Sequence, residues 1–594
     1  MKSPSAERSE VEETMSANPF TPEQRAELAD WLTYYPYPIM GLLEAMRSVQ
    51  LWHRCIRPED EAALAELFKT SASHIHQVAT FFPMFTQKPV GKRRVGLCHG
   101  LSCAMAGADI MARRLEKILG VPEGKTTPDG AFSWEEMECI GACDRAPALL
   151  VDEHLAGKTD EALIDSLLAG AQAPRSADVY KAVPLLTRHF HNPKLHELEA
   201  YRELGGYAGW GKALKMTPAR LTDEVKKSNL RGLGGAGFPT GGKWGTVPPL
   251  EKAPERFVVG NADESEPGCF KDRVLMTRAP HQVIEGLLIA CHAVSARWGF
   301  IFIRGEYGDQ YKILKKAIEE MAAAGLSQGI KIRLMRGAGA YISGLDTALL
   351  ETMEGKKAWP RQPPPFPTVV GLMGKPTAVH NVETLSMLPH IVMNGGEWFA
   401  KLGAPGDPAK KMNPSGGTGV YSISGDVERP GVYEFPMGTP LRRMIEEAGG
   451  VKGGRQLKAV IPGGTSTPPL TAAEIDVPMD FDSLRTVGSF LGAGGIVVLD
   501  ETRDMVEVAH NIERFLAHES CGQCTPCREG SEWTTRILER VLGGAGTKAD
   551  LPNLERVGEN ITGKVLCALG DTVGMAVRGY MKKFPEDFKK RVPQ

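Results

Sequence analysis

Cysteines are the residues of this chain whose type and spacing most clearly suggest chemistry. There are eleven of them, and eight fall into two groups of four. Disulfide frameworks are typical of small secreted chains, whereas grouped thiols in a chain of 594 residues more often bind metal. The three single cysteines, Cys55, Cys269 and Cys291, have no such neighbours, and we interpret them as small apolar core residues.

The first cysteine group consists of two pairs on separate loops. Cys98 and Cys103 have C-x4-C spacing in "CHGLSC", and Cys139 and Cys143 have C-x3-C spacing in "CIGAC". Two loops that deliver two thiolates each suit a binuclear [2Fe–2S] cluster with two ligands per iron. Structural zinc uses similar loop pairs, usually with two residues between the thiols. Zinc and reduced buried cysteines therefore remain alternatives at this point.

The second cysteine group lies near the C-terminus. Cys521, Cys524 and Cys527 follow one another with C-x2-C-x2-C spacing, and Cys567 lies further along in "GKVLCALGD". Three close thiolates and a remote fourth suit the four corners of a [4Fe–4S] cubane. A zinc site, the alternative, would more naturally divide its ligands two and two. The fourteen histidines show no metal-binding spacing.

A glycine-rich segment, "RGLGGAGFPTGGKW" at Arg231–Trp244, could bind an anion or a ring. Glycines lack a Cβ atom, so the backbone can approach a phosphate closely and turn its N–H groups toward it. The segment lacks the Gly-Lys-Ser/Thr ending of a Walker A motif and is not a clean GxGxxG fingerprint. A tight structural turn is the alternative.

Three further polar segments strengthen the prediction of a ligand site. "GNADESEPGCFKDR" brings Asp263, Glu264 and Glu266 next to two basic residues, directly after an apolar strand. Ligands of open α/β sheets collect at the carboxyl ends of strands. "RGAGAYISGLDTALL" adds a glycine turn, and "PTAVHNVET" adds a polar cluster around Asn381. A solvated charged loop is the alternative for the acidic segment.

Length and composition restrict the class of protein. A chain of 594 residues with 42% hydrophobic and 24% charged residues is long enough for roughly three to five domains. The formal charge of -2 argues against a nucleic-acid binder. No apolar run is as long as a membrane-spanning helix, so we expect membrane contact only through partners. The first eighteen residues are polar and do not resemble a signal peptide.

Hydrophobic periodicity divides the chain into structurally different regions. Apolar residues recur at helical spacing from Thr21 to Phe85, whereas strands ("RRVGLC", "PALLVD") alternate with a helix at Ala108–Leu119 further along. A second strand-rich region surrounds a helix at Pro440–Ala448, and the cysteine-bearing C-terminus is helical. We therefore predict a multidomain α/β and α+β protein with domains at residues 20–90, 91–171, 194–410, 411–503 and 504–594 and a polar linker at 172–193.

The N-terminal third resembles a known family. "ATFFPMFTQKPVGKRRVGLCHGLSCAMAGADIM" and "CIGACDRAPALLVD" are similar to the 24-kDa-type subunit of respiratory complex I, over about residues 20–170. The resemblance implies a helical bundle followed by a thioredoxin-like [2Fe–2S] domain. All four cysteines of the first group stand at the ligand positions of that family.

From about residue 200 to 594 the chain resembles the 51-kDa-type flavoprotein of complex I, a type that recurs in NAD-dependent formate dehydrogenases and hydrogenases. The resemblance implies a Rossmann-like FMN/NADH domain, a ubiquitin-like SLBB domain of the β-grasp type and a helical [4Fe–4S] domain that binds its cluster through the second cysteine group. It implies that FMN is surrounded by Gly232, Gly234, Lys243, Asn261, Asp263, Tyr341, Gly344, Val379, His380 and Asn381. Glu266 would bind the NADH ribose or amide, and Phe238 and Phe366 would stack on the nucleotide.

Departures from the family pattern lie where NADH is expected. The family usually has Cys-Gly-Glu-Glu where this chain has Ser343-Gly344-Leu345-Asp346, and it has an aromatic residue where this chain has Thr246. Loss of one stacking ring costs about 1 kcal/mol, which need not abolish binding. The missing carboxylate removes negative charge near the flavin, and we expect this to raise the flavin potential.

The resemblance implies an NADH dehydrogenase that moves a hydride from NADH to FMN and single electrons to both clusters. Such chemistry needs no acid, base or nucleophile from the protein, so no catalytic residue is predicted. The implied partners are other redox subunits, among them a 75-kDa-type subunit, on the cytoplasmic side of the inner membrane. The alternatives are a diaphorase subunit of a formate dehydrogenase or hydrogenase, and a relay subunit that keeps its cofactors but has lost NADH binding.

Overall fold

A computed structural model describes residues 18–156, 161–168, 180–181 and 185–593. The predicted polar leader therefore lies outside the described residues except for Asn18, as does much of the predicted linker. The residues at the start of the first helix favour its N-terminus, because the Thr21 side chain and Gln24 form a capping box and Pro22 occupies the first turn. The predicted N-terminal helices are α1 (Pro22–Tyr34), α2 (Leu42–His53), α3 (Pro58–Phe68) and α4 (Ala72–Phe81).

The next region forms a small sheet with helices against it, as the alternating pattern predicts. Its elements are β1 (Arg93–Cys98), α5 (Leu101–Met105), α6 (Ala108–Leu119), β2 (Phe132–Met137), β3 (Leu149–Val151), β4 (His154–Leu155) and α7 (Glu161–Leu168). The strand order is β2-β1-β3-β4, with β1 and β2 parallel and β1 and β3 antiparallel. The cysteine loops follow β1 and β2 at the same edge of this sheet, which explains why two distant sequence segments meet.

The third region is built on a parallel sheet of four strands with the order β8-β7-β6-β9. Its elements are α8 (Leu198–Glu203), α9 (Ala208–Ala213), α10 (Pro218–Lys227), α11 (Thr240–Gly245), β6 (Phe257–Ala262), α12 (Lys271–Arg278), α13 (Pro280–Ala293), β7 (Trp298–Ile303), α14 (Gly308–Ala323), β8 (Lys331–Arg336), α15 (Asp346–Met353), β9 (Thr377–Asn381), α16 (Val382–Asn394) and α17 (Gly396–Ala400). The chain runs outward from β6 to β8 and then returns to the other side of β6. The strand order thus reverses between β6 and β9.

A mixed sheet of six strands follows, with the order β13-β12-β14-β10-β11-β5. Its elements after the linker are β10 (Thr418–Gly425), β11 (Gly431–Pro436), α18 (Leu441–Glu447), β12 (Leu457–Ile461), β13 (Leu470–Thr471), α19 (Ser483–Thr486) and β14 (Gly495–Asp500). The helix predicted at Pro440–Ala448 is present, and the short α19 is not indicated by the sequence pattern. The edge strand β5 (Tyr180–Lys181) comes from the predicted linker and pairs in parallel with β11.

The C-terminal region is helical, as predicted. It consists of α20 (Met505–His518), α21 (Thr525–Leu542), α22 (Asp550–Ile561), α23 (Ala568–Lys583) and α24 (Pro585–Lys589). One core joins these helices to the N-terminal helices, so the two ends of the described chain pack together. Within the described residues, no helix has both the length and the apolar character needed to cross a membrane.

Candidate functional site

The reversal of strand order creates a crevice between the carboxyl ends of β6 and β9. Asn261 near the end of β6 is paired in register with Asn381 at the end of β9. Ligands of open α/β sheets bind outside the strand ends at such a reversal, because the following chain segments diverge there and leave a gap. Asp263 follows β6 directly, and Val379 and His380 belong to β9. Residues predicted from separate motifs therefore meet at one place.

The segment Tyr341–Gly344, a single 3-10 turn, forms another side of this crevice. The Asn261 side-chain amide donates a 2.8 Å hydrogen bond to the Gly344 carbonyl. A Cβ atom on Gly344 would lie 3.1 Å from the Asp263 carbonyl oxygen, so glycine permits this close approach. Burial raises the pKa of Asp263 to about 7.

The glycine-rich segment packs directly on the end of β9. A Cβ atom on Gly234 would lie 2.9 Å from the Asn381 Cβ. Asn381 is itself held from two sides, because its amide donates to Asp272 at 2.6 Å and its side-chain oxygen caps α16 through Glu383 N–H at 2.9 Å. Gly232 lies in the same turn, where its N–H bonds the Phe238 carbonyl at 2.9 Å.

Lys243 and His380 have contrasting electrostatic settings. The Lys243 ammonium donates to the Val379 carbonyl at 2.8 Å and lies 3.4 Å from an Asp346 carboxylate oxygen. His380 accepts a 2.8 Å hydrogen bond from the Trp244 indole N–H. Burial, with the nearby Lys243 charge, lowers the pKa of His380 well below its ordinary value, so this imidazole is neutral. The crevice thus offers a lysine ammonium beside an uncharged ring.

A polar atom without a partner indicates that this crevice fits a flavin nucleotide. Asp272 accepts a hydrogen bond from Asn381 through one carboxyl oxygen, and within the described part of the chain its other oxygen, Oδ1, is buried and has no hydrogen-bond partner. Buried polar groups without partners are uncommon in folded proteins and call for a ligand or water. Gly235 has open space where a Cβ would point, within a backbone that can turn N–H groups toward an anion. Donor, acceptor and glycine positions therefore suit FMN.

The residues expected to contact NADH are Glu266, whose carboxylate already accepts hydrogen bonds, and two exposed phenylalanine rings. Glu266 accepts a 2.6 Å hydrogen bond from the Tyr341 hydroxyl and a 2.7 Å bond from Ser466 N–H. A nucleotide would have to share this carboxylate with both partners. Phe238 is 52% exposed and Phe366 is 61% exposed, which is unusual for phenylalanine and leaves both rings available for stacking.

The residues that depart from the family pattern have partners of their own. Ser343 is buried, and its hydroxyl lies 3.2 Å from that of Thr352. Leu345 packs against the core of the helical region. The Thr246 hydroxyl donates to Lys243 O at 2.8 Å and lies 2.8 Å from Thr368 Oγ1, so it joins two loops of the site.

The four thiols of the first cysteine group lie close together in the interior. The thiol of Cys103 hydrogen-bonds Cys98 and lowers its pKa, and the N–H groups of Gly100 and Ile140 add to this effect. Burial raises the pKa of Cys143 to about 12, and the adjacent Cys98 contributes in the same direction. Burial and then the same Cys98 charge raise the pKa of Cys139. Four mutually close thiols with N–H donors directed at sulfur fit a [2Fe–2S] cluster.

The thiols of the second group line one cavity together with Ile342, Ser520 and Leu569. The Leu566 N–H donates to Cys524 Sγ at 3.4 Å, and the Ser520 hydroxyl lies 3.3 Å from Cys527 Sγ. Burial raises the pKa of Cys527 to about 11. Cys521 and Cys567, the other two thiols of the set, line the same cavity. A cavity with four thiols from two chain segments fits a [4Fe–4S] cluster.

Within the described ranges, no three His, Cys, Asp or Glu side chains are arranged to hold a single metal ion. A cluster distributes its thiolates over several irons, so its ligands surround a volume and do not converge on one point.

The three single cysteines are fully or almost fully buried, as their interpretation as core residues predicts.

Sequence reasoning missed the residues that connect the three sites. Ile342 lies next to Tyr341 of the crevice between β6 and β9 and also lines the C-terminal thiol cavity. The Trp359 indole donates to the Cys521 carbonyl at 3.0 Å, and the buried Arg304 donates to the Cys139 carbonyl. Only Arg304 carries a signal in sequence, because a charged residue directly after the apolar strand "FIFI" suggests a buried role.

Four family models match the chain in the predicted order. They are a thioredoxin-like [2Fe-2S] ferredoxin at residues 28–172, the Nuo51 FMN-binding domain at 225–390, an SLBB domain at 420–469 and the NADH-ubiquinone oxidoreductase-F iron-sulfur binding region at 507–591. These matches confirm the predicted fold class and the predicted cofactors, FMN, [2Fe–2S] and [4Fe–4S].

Similar proteins agree with the domain matches. The F 2 subunit of the NADH-quinone oxidoreductase of Rhizobium meliloti (strain 1021) is 47% identical over 68% of this chain and 96% of the relative. The F subunit of the same enzyme of Rickettsia typhi (strain ATCC VR-144 / Wilmington) is 43% identical over the same shares. A chain of an NAD+-reducing [NiFe]-hydrogenase in the air-oxidized state superimposes with a TM-score of 0.82, at 31% identity, over 93% of this chain and 94% of that chain.

The resemblance inferred from the motifs is therefore confirmed. Both the matched domains and the identity to relatives over almost their whole length support one assignment. This chain belongs to the family of NADH-quinone oxidoreductase F subunits and carries a thioredoxin-like [2Fe–2S] ferredoxin domain on the same polypeptide.

Proposed function

We propose that this chain is the electron-input module of a respiratory complex I. It is an NADH dehydrogenase subunit of a multisubunit complex, with FMN and two types of iron–sulfur cluster. We propose that a 75-kDa-type subunit receives its electrons and that the assembly lies on the cytoplasmic side of the inner membrane. The partner subunit and the side of the membrane are proposed from the resemblance to the family.

The observation that carries the proposal is that residues of the crevice adjoin residues of both thiol sets. Tyr341 belongs to the crevice, and the adjacent Ile342 lines the cavity of the C-terminal thiols. Glu264, which follows Asp263 in the crevice loop, is linked to the first set, because Arg304 donates hydrogen bonds to both the Glu264 and the Cys139 carbonyls. One flavin bound there would adjoin both clusters.

When bound, FMN takes two electrons together from a nicotinamide and releases them singly, and the clusters carry one electron each. The task of this chain is to bind and orient. We propose that the glycine turn at Gly232–Gly237 and Lys243 hold the phosphate, and that Asn261, Asp263 and Asn381 face the ring. The neutral His380 and the remaining crevice residues Tyr341, Gly344 and Val379 complete the enclosure and exclude water.

For the nucleotide, we propose that Phe238 and Phe366 stack on its rings and that Glu266 bonds a ribose hydroxyl or the amide. The two rings are exposed, so stacking would remove apolar surface from water. Glu266 is already oriented by Tyr341 and Ser466, so little conformational entropy would be lost when it accepts a further hydrogen bond.

Anaerobic titration of the full chain, reconstituted with FMN, iron and sulfide, tests the proposal. NADH should bleach the flavin absorbance and produce EPR signals from both cluster types, and NADPH should serve as the comparison. A flavin that dithionite reduces but excess NADH leaves oxidised in stopped-flow mixing would support the relay alternative. Zinc in place of iron, or no retained flavin, would contradict the whole assignment.

A diaphorase subunit of a hydrogenase is the second candidate. A single hydrogenase chain covers 93% of this chain, including the N-terminal region that the F subunits of the two relatives do not cover. Purification of the native complex separates the two candidates. Membrane subunits in the complex would support complex I, whereas a hydrogenase or molybdopterin subunit would support the diaphorase.

A further inference from the structure

A buried arginine links the [2Fe–2S] ligand loop to the flavin crevice. Arg304 follows β7 and is only 3% exposed. One of its terminal nitrogens, Nη2, donates to the carbonyl of Cys139, and the other, Nη1, donates to the carbonyl of Glu264 at 2.6 Å. A single guanidinium thus bonds the backbone of a predicted cluster ligand and the backbone of the loop that carries Asp263.

The charge of Arg304 is balanced by one acid on the same loop. Glu306 accepts hydrogen bonds from Arg304 Nε at 3.1 Å and from Nη2 at 2.8 Å, and it is also buried. Two opposite charges therefore lie beside the Cys139 loop in a poorly solvated interior. Charges in such an interior act more strongly on their surroundings than charges at the surface, because water screens them less.

The surrounding contacts restrict movement of this pair. The Arg304 guanidinium lies 5.2 Å from the ring centre of Tyr307, and the Tyr307 hydroxyl donates to Glu264 at 3.0 Å. A Cβ atom on Gly141, between Cys139 and Cys143, would lie 2.2 Å from the Tyr307 hydroxyl oxygen. The ligand loop is therefore packed against this strand end without room for displacement.

We propose that Arg304 is a positioning residue that sets the reduction potential of the [2Fe–2S] cluster and that Glu306 acts on it in the opposite direction. The inference rests on the proposed function, since it requires the cluster at Cys98, Cys103, Cys139 and Cys143. Reduction adds one electron and hence one negative charge. The fixed guanidinium charge favours the reduced cluster, and the fixed Glu306 carboxylate disfavours it.

The test is an EPR-monitored redox titration of the full reconstituted chain. R304Q should lower the [2Fe–2S] reduction potential, and E306Q should raise it. Each variant should change the ratio of reduced to oxidised cluster at a fixed potential by about tenfold, which corresponds to about 59 mV for a one-electron couple. R304K keeps the charge and should remain close to the unmodified protein. The [4Fe–4S] signal in the same sample should not shift.

Arg336 provides a matched control. It ends β8, the strand beside β7, is 4% exposed, and donates to Gly305 O at 3.0 Å, yet it pairs with Glu153 and not with a ligand loop. R336Q should therefore shift the potential of the cluster by less than R304Q does.

Shifts of R304Q and E306Q in the same direction, or no shift in either, would overturn the inference and indicate a purely structural pair. If R304Q fails to fold, E306Q alone decides, because an unchanged or lowered potential would contradict the proposed role. Absence of a [2Fe–2S] signal from the unmodified chain would instead refute the proposed function, so the two failures are distinguishable.

Discussion

Gly234 and Asn381 lie so close together that a Cβ atom on the glycine would stand 2.9 Å from the Asn381 Cβ. This is closer than real Cβ contacts, and Asn381 cannot withdraw freely because it bonds Asp272 and caps α16. The contact joins the glycine-rich segment to the strand reversal. It therefore holds the glycine-rich segment close to β9 at the crevice proposed for FMN.

We expect Gly234→Ala to weaken FMN retention about tenfold or more while the chain stays folded, because the added methyl group pushes the glycine turn away from β9. Flavin released from the purified chain by gel filtration, followed by fluorescence, measures this. Gly242→Ala is the matched control, because its Cβ would meet only Pro239 at 3.5 Å and Phe238 at 3.8 Å. Equal FMN loss in both variants would contradict the prediction.

The two thiol sets should assemble independently. Cys567→Ala should abolish the [4Fe–4S] EPR signal and leave the [2Fe–2S] signal, because its thiol lines the C-terminal cavity. Cys103→Ala should have the reverse effect, because its thiol bonds Cys98. Iron and sulfide analysis should agree with the spectra.

Cys291→Ala is the control for both variants, since Cys291 is fully buried in the apolar core and belongs to neither set. It should retain the full iron content. Loss of both cluster signals from either single ligand variant would argue against two separate centres.

Glu513 on α20 predicts a pH dependence of stability. It is fully buried, and within the described chain neither carboxyl oxygen has a hydrogen-bond partner. Burial raises its pKa well above the ordinary value. As the pH rises, the unfolded chain therefore loses the Glu513 proton first, and the folded protein keeps it up to a higher pH. This contribution to the free energy of unfolding is fully present below the ordinary pKa and is lost as the pH rises toward the folded pKa.

Glu513→Gln should remove that dependence. The midpoint of thermal unfolding of the unmodified protein, relative to the variant, should fall as the pH is raised from about 5 to about 8. Tyr580, the nearby titratable group whose pKa is also raised by burial, stays neutral over this range. Glu507→Gln on the exposed side of the same helix is the control and should not change the slope. The prediction would be refuted if the unfolding midpoints of Glu513→Gln and of the unmodified protein changed with pH in parallel.

The buried carboxylate of Glu434 should hold the end of the linker. It accepts hydrogen bonds from Leu186 N–H at 3.0 Å, from Thr187 N–H at 2.8 Å, and from the hydroxyls of Thr187 at 2.8 Å and Thr418 at 2.6 Å. Glu434→Gln replaces one acceptor oxygen by a donor. We expect it to cost about 2–3 kcal/mol of local stability.

Tryptic cleavage after the exposed Arg188 measures this loss, and it should be faster in Glu434→Gln. Glu446→Gln, at an exposed position of α18, is the matched control. Equal cleavage rates for the two variants would show that the carboxylate does not hold the linker.

Local sequence pattern was sufficient for much of the fold. Helical spacing from Thr21 to Phe85 and the strand "RRVGLC" correspond to observed elements, because periodicity of apolar residues reports which face of an element is buried. The linker is where the pattern was least informative. Its polar composition indicates a connector, yet Leu186 and Phe190 are buried and residues 180–181 add a strand to the third sheet.

The sequence by itself determined the chemistry of the site. Cys98, Cys103 and the C-x2-C-x2-C motif predict clustered thiols because short spacing alone brings them together, and the resemblance to the flavoprotein family makes iron–sulfur clusters the expected occupants. Tertiary structure decided how the sites are connected. Asn261 meets Asn381 only because β9 returns beside β6, and Arg304 reaches Cys139 only because β7 ends against another domain. Contacts between distant segments depend on sheet order and domain packing, which no local spacing encodes.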